Sequence, residues 1–357
     1  MRIVSLSMLK PDMILAKPIY HNDLLILRKG LTNLNRFVES LRRLGIEYVY
    51  VEDVKSEDIE IPDAISEETR ISCKRILRKT MDAFENNAVV ELGDMMGTIN
   101  DLIEEILAKP DIQISLNDIS AADEYTFSHS VSSTVYSLLI AKQLNYTKSM
   151  MEKLAVGALL HDMGKVFLDK RIMNKIEPLT AEEFDYIKTH TTLGYEALKK
   201  CPNITELSRI ISLYHHERMD GSGYPSGTPA GQLHDFVRIV AIADVYDALT
   251  ENRCYRRKWS TNQAVNYLIE NAESKFDLNM VSVFIKQIAI YPNGSMVRLS
   301  NNATGIVKEQ NKNYPLRPVI RVITDEKGND IDVYDLDLMK ELSITIIESE
   351  LEMNCGF

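Results

Sequence analysis

The chain has 357 residues, 45% of them hydrophobic, and a formal net charge of −11. That length buries a full core and reads as one medium domain with smaller attachments, while the acidic balance argues against broad binding to long nucleic acid and leaves room for a local basic pocket for a small anion. Cys73, Cys201, Cys254 and Cys355 lie far apart with no CxxC pair, no opening resembles a signal peptide, and no apolar run reaches 18 residues, so the expectation is reduced thiols, a cytoplasmic location and no membrane span.

Residues 1–60 read as a small α/β unit. DLLILRKG is a strand ending in a turn glycine, LTNLNRFVESLRRLG places Leu34, Phe37, Leu41 and Leu44 on one helical face before Gly45, and EYVYV is a further strand. From Asp63 to Lys109 the pattern turns helical, with Asp94 as a cap for the second helix and Pro110 past its end. The next helix spans about Ala121 to Leu144, with Phe127, Val131, Val135 and Leu138 forming its apolar stripe and His129 pointing off it.

KLAVGALLHDMGK is apolar until His161 and Asp162, and adjacent residues of those types reach one site only if the helix ends or distorts there. Thr180 and Glu183 form a capping-box pattern ahead of the helix that carries His190. ELSRIISLYHH is amphipathic and ends in His215 and His216, and the turn-rich MDGSGYPSGTPAG that follows reads as a loop beside a pocket. It lacks the GxxxxGK[ST] pattern of a phosphate-binding loop. DFVRIVAIADVYDALT is again helical, with Asp244 and Asp247 three apart and therefore on one face. After about Ile290, GSMVRLSNNATGIVKEQ, PVIRVITDEKG and NDIDVYD are short strand-like runs of a β-rich tail.

Six of the seven histidines fall between His129 and His234. Buried imidazoles and carboxylates are costly unless paired or bound to a metal, and a packed-core explanation strains when so many must be accommodated together. Nitrogen and carboxylate donors suit iron, manganese or zinc, with no thiolate indicated. About seven ligands exceed a single four-coordinate zinc, so two metals are the economical solution.

HDMGK, His190, HHERMDGSGYP and ADVYDALT, in this order and spacing, resemble an HD-GYP domain, a subgroup of the HD phosphohydrolase superfamily associated with hydrolysis of cyclic di-GMP. The resemblance covers roughly residues 121–290, with Gly223, Tyr224 and Pro225 as the namesake triplet. It implies an HD-superfamily helical bundle as the catalytic domain (121–290), so that the chain reads as mainly α, with the small α/β N-terminal unit (1–60) and a helical connector (61–120) ahead of it and a small β-rich C-terminal extension (291–357) after it. It also implies metal ligands at His129, His161, Asp162, His190, His215, His216 and Asp244, with Asp162 bridging two metals and Asp247 supporting from behind. Lys165 falls near the substrate phosphate or the bridging water, and Arg253 and Arg256 in the stretch that meets the dinucleotide, with a surface turn as their alternative; Tyr224 reads either as stacking on or shaping the ligand pocket or as a buried loop anchor, and Gly221, Gly223 and Pro225 as shaping the loop.

The implied reaction opens cyclic di-GMP to linear pGpG, and onward to GMP, with a metal-bridged hydroxide as nucleophile and Asp162 and Lys165 as the catalytic pair. Cyclic GMP-AMP is the alternative substrate, and a catalytically silent cyclic-dinucleotide receptor or protein-interaction module is the alternative function. Iron or manganese is favoured over magnesium, with zinc as a further possibility; a homodimer or another signalling protein is left open as partner. Three positions depart from the pattern. Tyr125 stands where some members carry a glutamate for a third metal, with Glu124 one residue out of phase; Cys254 replaces a usual proline, and Met219 a frequent aromatic.

Overall fold

The computed structural model describes residues 1–21, 24–86, 88, 92–109, 125–175, 177–251, 259–312 and 314–349. The architecture is mainly helical, with a small β-unit at the N-terminal end of the chain and a β-sheet at the C-terminal end.

In the N-terminal unit, β1 (Arg2–Ser5) and β2 (Ile14–Leu15) both pair antiparallel with β5 (Tyr48–Glu52), while β3 (Ile19–His21) and β4 (Leu24–Leu27) form a separate hairpin. The helix expected over LTNLNRFVESLRRLG is in fact a 3-10 turn, Leu34–Phe37, followed by α1 (Val38–Arg43). Asn33 at φ +54° opens the turn and Gly45 at φ +75° closes the segment, and only Leu34 and Leu41 reach full burial, with Phe37 and Leu44 packed at the edge.

Helices α2 (Glu67–Glu85) and α3 (Leu92–Ala108) lead into the bundle. α3 begins before Asp94, which corrects that residue from a cap to a first-turn acid. There its charge favours the helix dipole and takes a salt bridge from Lys79 at 3.1 Å.

α4 (Tyr125–Gln143) is packed against α2, α3, α5 (Lys148–Leu159), α10 (Asp235–Thr250) and α12 (Leu278–Ile285). The expected stripe is too narrow, because every residue from 128 to 141 is buried, serines included. A helix surrounded on all sides buries polar positions as well as apolar ones. Thr134 and Ser137 satisfy their hydroxyls by donating to the carbonyls four residues back, both at 2.7 Å. Between these long helices run α6 (Lys170–Met173), α7 (Ala181–Lys188), α8 (His190–Lys199) and α9 (Glu206–Tyr214), and α11 (Thr261–Glu270) lies beside α10. The Thr180–Glu183 capping box forms at the start of α7.

The C-terminal sheet has the order β10 (Ile346–Ser349), β6 (Met296–Leu299), β7 (Thr304–Glu309), β8 (Val319–Thr324), β9 (Asp330–Asp337), all antiparallel. Its strands alternate as two-sided strands must. Val307, Ile320 and Val322 join the bundle core, whereas Ile306 and Ile323 pack with Ile59 of the N-terminal segment. Cys73 and Cys201 are free and buried, and burial pushes the Cys73 thiol up to about 12; Cys254 and Cys355 lie outside the described residues. No described helix is long and apolar enough to cross a membrane.

Candidate metal centre

Five stretches of chain deliver His129, His161, Asp162, His190, His215, His216 and Asp244 to one buried place. α5 stops at Leu159, Leu160 leaves helical geometry, and a 3-10 turn over Met163–Phe167 takes over. That break is what lets the adjacent His161 and Asp162 serve one site. The turn lies hard against the start of α8, where a Cβ on Gly164 would sit 1.8 Å from the His190 carbonyl oxygen. Only glycine permits that approach, and Ser212 closes the other side by donating to the His161 carbonyl at 2.9 Å.

Backbone carbonyls select the imidazole tautomers. Nδ1 of His161 lies 2.7 Å from the Ala158 carbonyl, Nδ1 of His190 2.8 Å from that of Ile187, and Nδ1 of His215 3.0 Å from that of Ser212. Each carbonyl can only accept, so each Nδ1 carries the proton and each Nε2 presents a lone pair. The Nε2 atoms of His190 and His215 then face each other at 3.3 Å, acceptor to acceptor, an arrangement that calls for a cation between them or beside them. His161 Nε2 and Asp162 Oδ1 are buried without a hydrogen bond, so the donor set fits a metal centre.

Asp162 stands between two groups. Its Oδ1 lies 3.5 Å from His190 Nε2 and 3.8 Å from His215 Nε2, while its Oδ2 lies 3.3 Å from His161 Nε2 and 3.8 Å from His129 Nε2. Two sets of mutually close donor atoms result: Asp162, His190, His215 and His216 in one, His129, His161 and Asp162 in the other. Asp244 adjoins both, with Oδ1 3.0 Å from His129 Nε2 and Oδ2 3.7 Å from His216 Nδ1. One helical turn on, Asp247 takes His129 Nδ1 at 2.7 Å, which fixes that ring from behind and leaves Nε2 facing the site.

The electrostatics follow from this packing. Burial alone would raise the Asp162 carboxyl, but Lys165 and His161 beside it hold it well below the usual carboxylate range. Burial depresses His190 to about 4, so its ring is neutral at pH 7. His129 behaves oppositely: burial would lower it, yet its bonds to Asp244 and Asp247 raise it to about 10. Lys165 Nζ donates to Asp162 Oδ2 at 2.5 Å and remains partly exposed, placing a cation at the mouth of the site. Tyr224, followed by a cis peptide to Pro225, lies over His216 with ring centroids 4.6 Å apart. Gly221 adopts φ +76° in the same loop. Arg253 and Arg256 lie outside the described residues.

Two acids escaped the sequence reading. Glu251 has an oxygen close to donor atoms of His129 and Asp247; its place just past the end of α10, four residues after Asp247, was the available signal. Glu217, next to His215 and His216, is buried and accepts from the backbone of the glycine-rich loop; a carboxylate at the root of such a loop was the sign.

Residues 115–280 match the family model of the HD domain, and they contain every residue of the two donor sets. That stretch is an HD domain of the HD-GYP-like branch. Residues 296–353 match a second model, a KOW domain associated with HD domains, which coincides with the C-terminal sheet. Among curated proteins, this HD-GYP-like chain is 33% identical over 268 residues to the cyclic di-GMP phosphodiesterase PA4108 of Pseudomonas aeruginosa, covering 72% of this chain and 64% of that one. It is 36% identical over 149 residues to the cyclic di-GMP phosphodiesterase response regulator RpfG of Xanthomonas campestris, covering 42% and 39%. To the 3′3′-cGAMP-specific phosphodiesterase 3 of Vibrio cholerae it is 31% identical over 174 residues, covering 49% and 38%. The chain thus spans less than two-thirds of the length of these relatives.

Proposed function

We propose that this chain is a metal-dependent phosphohydrolase that opens a cyclic dinucleotide, cyclic di-GMP in the first place, to the linear pGpG and onward to GMP. The observation that carries the reading is the Asp162 carboxylate, set with one oxygen toward the Nε2 atoms of His190 and His215 and the other toward those of His161 and His129. His129, His161, Asp162, His190, His215, His216 and Asp244 would hold two transition-metal ions, and the nitrogen-rich donor set favours iron or manganese over magnesium and also suits zinc. When bound, such a pair supplies Lewis-acid stabilisation of a phosphate and a water acidic enough to act at neutral pH.

The protein's own groups do the rest. Lys165 adds fixed positive charge where the phosphate gains negative charge in the transition state, and Asp162 holds the ammonium in place. Tyr224 walls the pocket above His216. Arg253 and Arg256 would meet the phosphates of the dinucleotide through the paired donors that suit phosphate oxygens. Water adds to phosphorus, the P–O3′ bond breaks, and the 3′ oxygen leaves with a proton, so the product carries a 5′ phosphate. The hydrolytic unit in this reading is the stretch 121–290.

The relatives' names divide between cyclic di-GMP and 3′3′-cGAMP, so the test offers both to the purified protein loaded with Mn2+ or Fe2+. Linear pGpG appearing from cyclic di-GMP is the expected result. Preferential cleavage of 3′3′-cGAMP would transfer the assignment to the mixed ring, and binding without cleavage of either would make the chain a receptor.

A further inference from the structure

Glu217 is 1% exposed and lies one residue beyond His216. Its Oε1 accepts the backbone N–H of Ser226 at 2.8 Å and its Oε2 that of Thr228 at 3.0 Å. Between those anchor points and Glu217 itself runs the glycine-rich loop. The Met219 carbonyl accepts from Ala230 N–H at 3.1 Å and closes the loop's base. At its centre the loop presses on the chain just after α9: Tyr224 N–H points to the His216 carbonyl at 3.3 Å, and a Cβ on Gly223 would fall 2.4 Å from the Glu217 Cα. The outcome of this closure is the position of Tyr224, whose ring is 4.6 Å from that of His216 and 6.5 Å from that of His190.

We propose that Glu217 is a positioning residue: its buried carboxylate clamps the glycine-rich loop so that Tyr224 is held against His216 as the wall of the substrate pocket. This rests on the phosphohydrolase reading for its kinetic consequence, though not for the clamp. The residue type is specific to the task. Two backbone N–H groups converge on one rigid planar group, so both of its outer atoms must accept; a glutamine offers one acceptor and one donor, turning an NH2 toward an N–H. An aspartate accepts twice but is one methylene short. Charge-assisted bonds of this kind are stronger than neutral ones, and they offset the cost of burying the carboxylate. Glu217 acts through Tyr224 and does not itself touch the reacting atoms.

The test compares full-length, Mn2+-loaded wild type with Glu217→Gln, Tyr224→Ala and the double variant. Hydrogen exchange at the Ser226 and Thr228 amides reads the clamp, metal content reads the site, and cyclic di-GMP kinetics read the consequence. In Glu217→Gln the two amides exchange roughly tenfold faster or more, metal content stays at the wild-type level, and KM rises roughly tenfold with kcat within a factor of about two. In the Tyr224→Ala background the same change adds nothing further to KM, because the group it acts through is gone. Unchanged exchange at both amides overturns the clamp, and KM losses that multiply in the double variant overturn the route through Tyr224. A loss of metal with KM unchanged makes Glu217 a support of the histidines instead. Should Glu217→Gln fail to fold, Glu217→Asp decides by the same readouts, with intermediate values expected. A wild type that leaves cyclic di-GMP untouched counts against the hydrolase reading alone, since the exchange measurement needs no turnover; a wild type that turns it over with Glu217→Gln identical to it counts against Glu217 alone.

Discussion

Two clusters of charge in this molecule look alike in composition and differ in what they leave undone. Where the N-terminal segment meets the C-terminal sheet, Arg321 and Lys308 face Asp58 and Asp335, and each cation contacts both acids. Positive and negative groups balance there, at a partly exposed surface, and the carboxyl of Asp58 is lowered chiefly by its bond to Arg321. In the bundle, the imidazoles of His161, His190 and His215 have their Nδ1 protons taken by backbone carbonyls and turn lone pairs toward one another and toward Asp162. That cluster is buried and its acceptors outnumber its donors. A self-completing cluster joins two parts of a fold, whereas one that is short of positive charge in a buried place is built for a ligand.

The sharpest break of this contrast is Asp162→Ala. Removing the one carboxylate shared by both donor sets is expected to reduce hydrolysis to background and to lower metal content with it, as read by elemental analysis and product formation. Lys165→Met comes next, with a loss in kcat of roughly 10²–10³-fold at unchanged metal content, because the ammonium adds charge at the mouth without being a ligand. At the other cluster the effect moves from activity to stability. Ile306→Ala, at a fully buried position beside Ile59 and Ile323, should cost about 2–5 kcal/mol of unfolding free energy while kcat and metal content stay at wild-type values.

In the metal-free protein the folded-state value of His129, about 10, lies above the ordinary 6.5, so its contribution to stability is complete below about pH 6.5 and is lost as pH rises through about 10. A metal taking Nε2 displaces that proton, so loading at pH 8 should release about one proton per chain from this residue, measurable as a buffer-dependent heat in titration calorimetry; a heat independent of buffer ionisation would contradict it. The smallest effect is expected for Arg321→Gln, a shift in Tm of no more than about 2 °C with activity intact.

Much of the centre was legible because its chemistry is carried by residue types that are costly to bury. His161–Asp162 and His215–His216 each follow the end of an apolar or amphipathic helix, and the structure ends α5 and α9 just before them. Asp244 and Asp247 sit three apart on α10 and both meet His129. What periodicity did not convey is packing from the other side. α4 reads as a striped helix, yet its serines are buried as deeply as its valines because helices surround it. The break at Leu34–Phe37 depends on Asn33 adopting a left-handed conformation, which apolar spacing does not report. Asp94 has the residue type of a cap, but the helix starts ahead of it. Glu217 was missed for a similar reason: its partners are backbone N–H groups of Ser226 and Thr228, and backbone partners leave no mark in a side-chain pattern.

In the proposed reading the two donor sets that share Asp162 form a two-metal centre. Elemental analysis of the protein purified without oxygen, alongside Asp162→Ala and Ile306→Ala prepared identically, tests it most directly. About two transition-metal ions per chain are expected in the wild type and in Ile306→Ala, with most of the metal lost in Asp162→Ala. A folded wild type that holds one ion or none after loading with Mn2+ or Fe2+, or an Asp162→Ala variant that keeps the full complement, would contradict it.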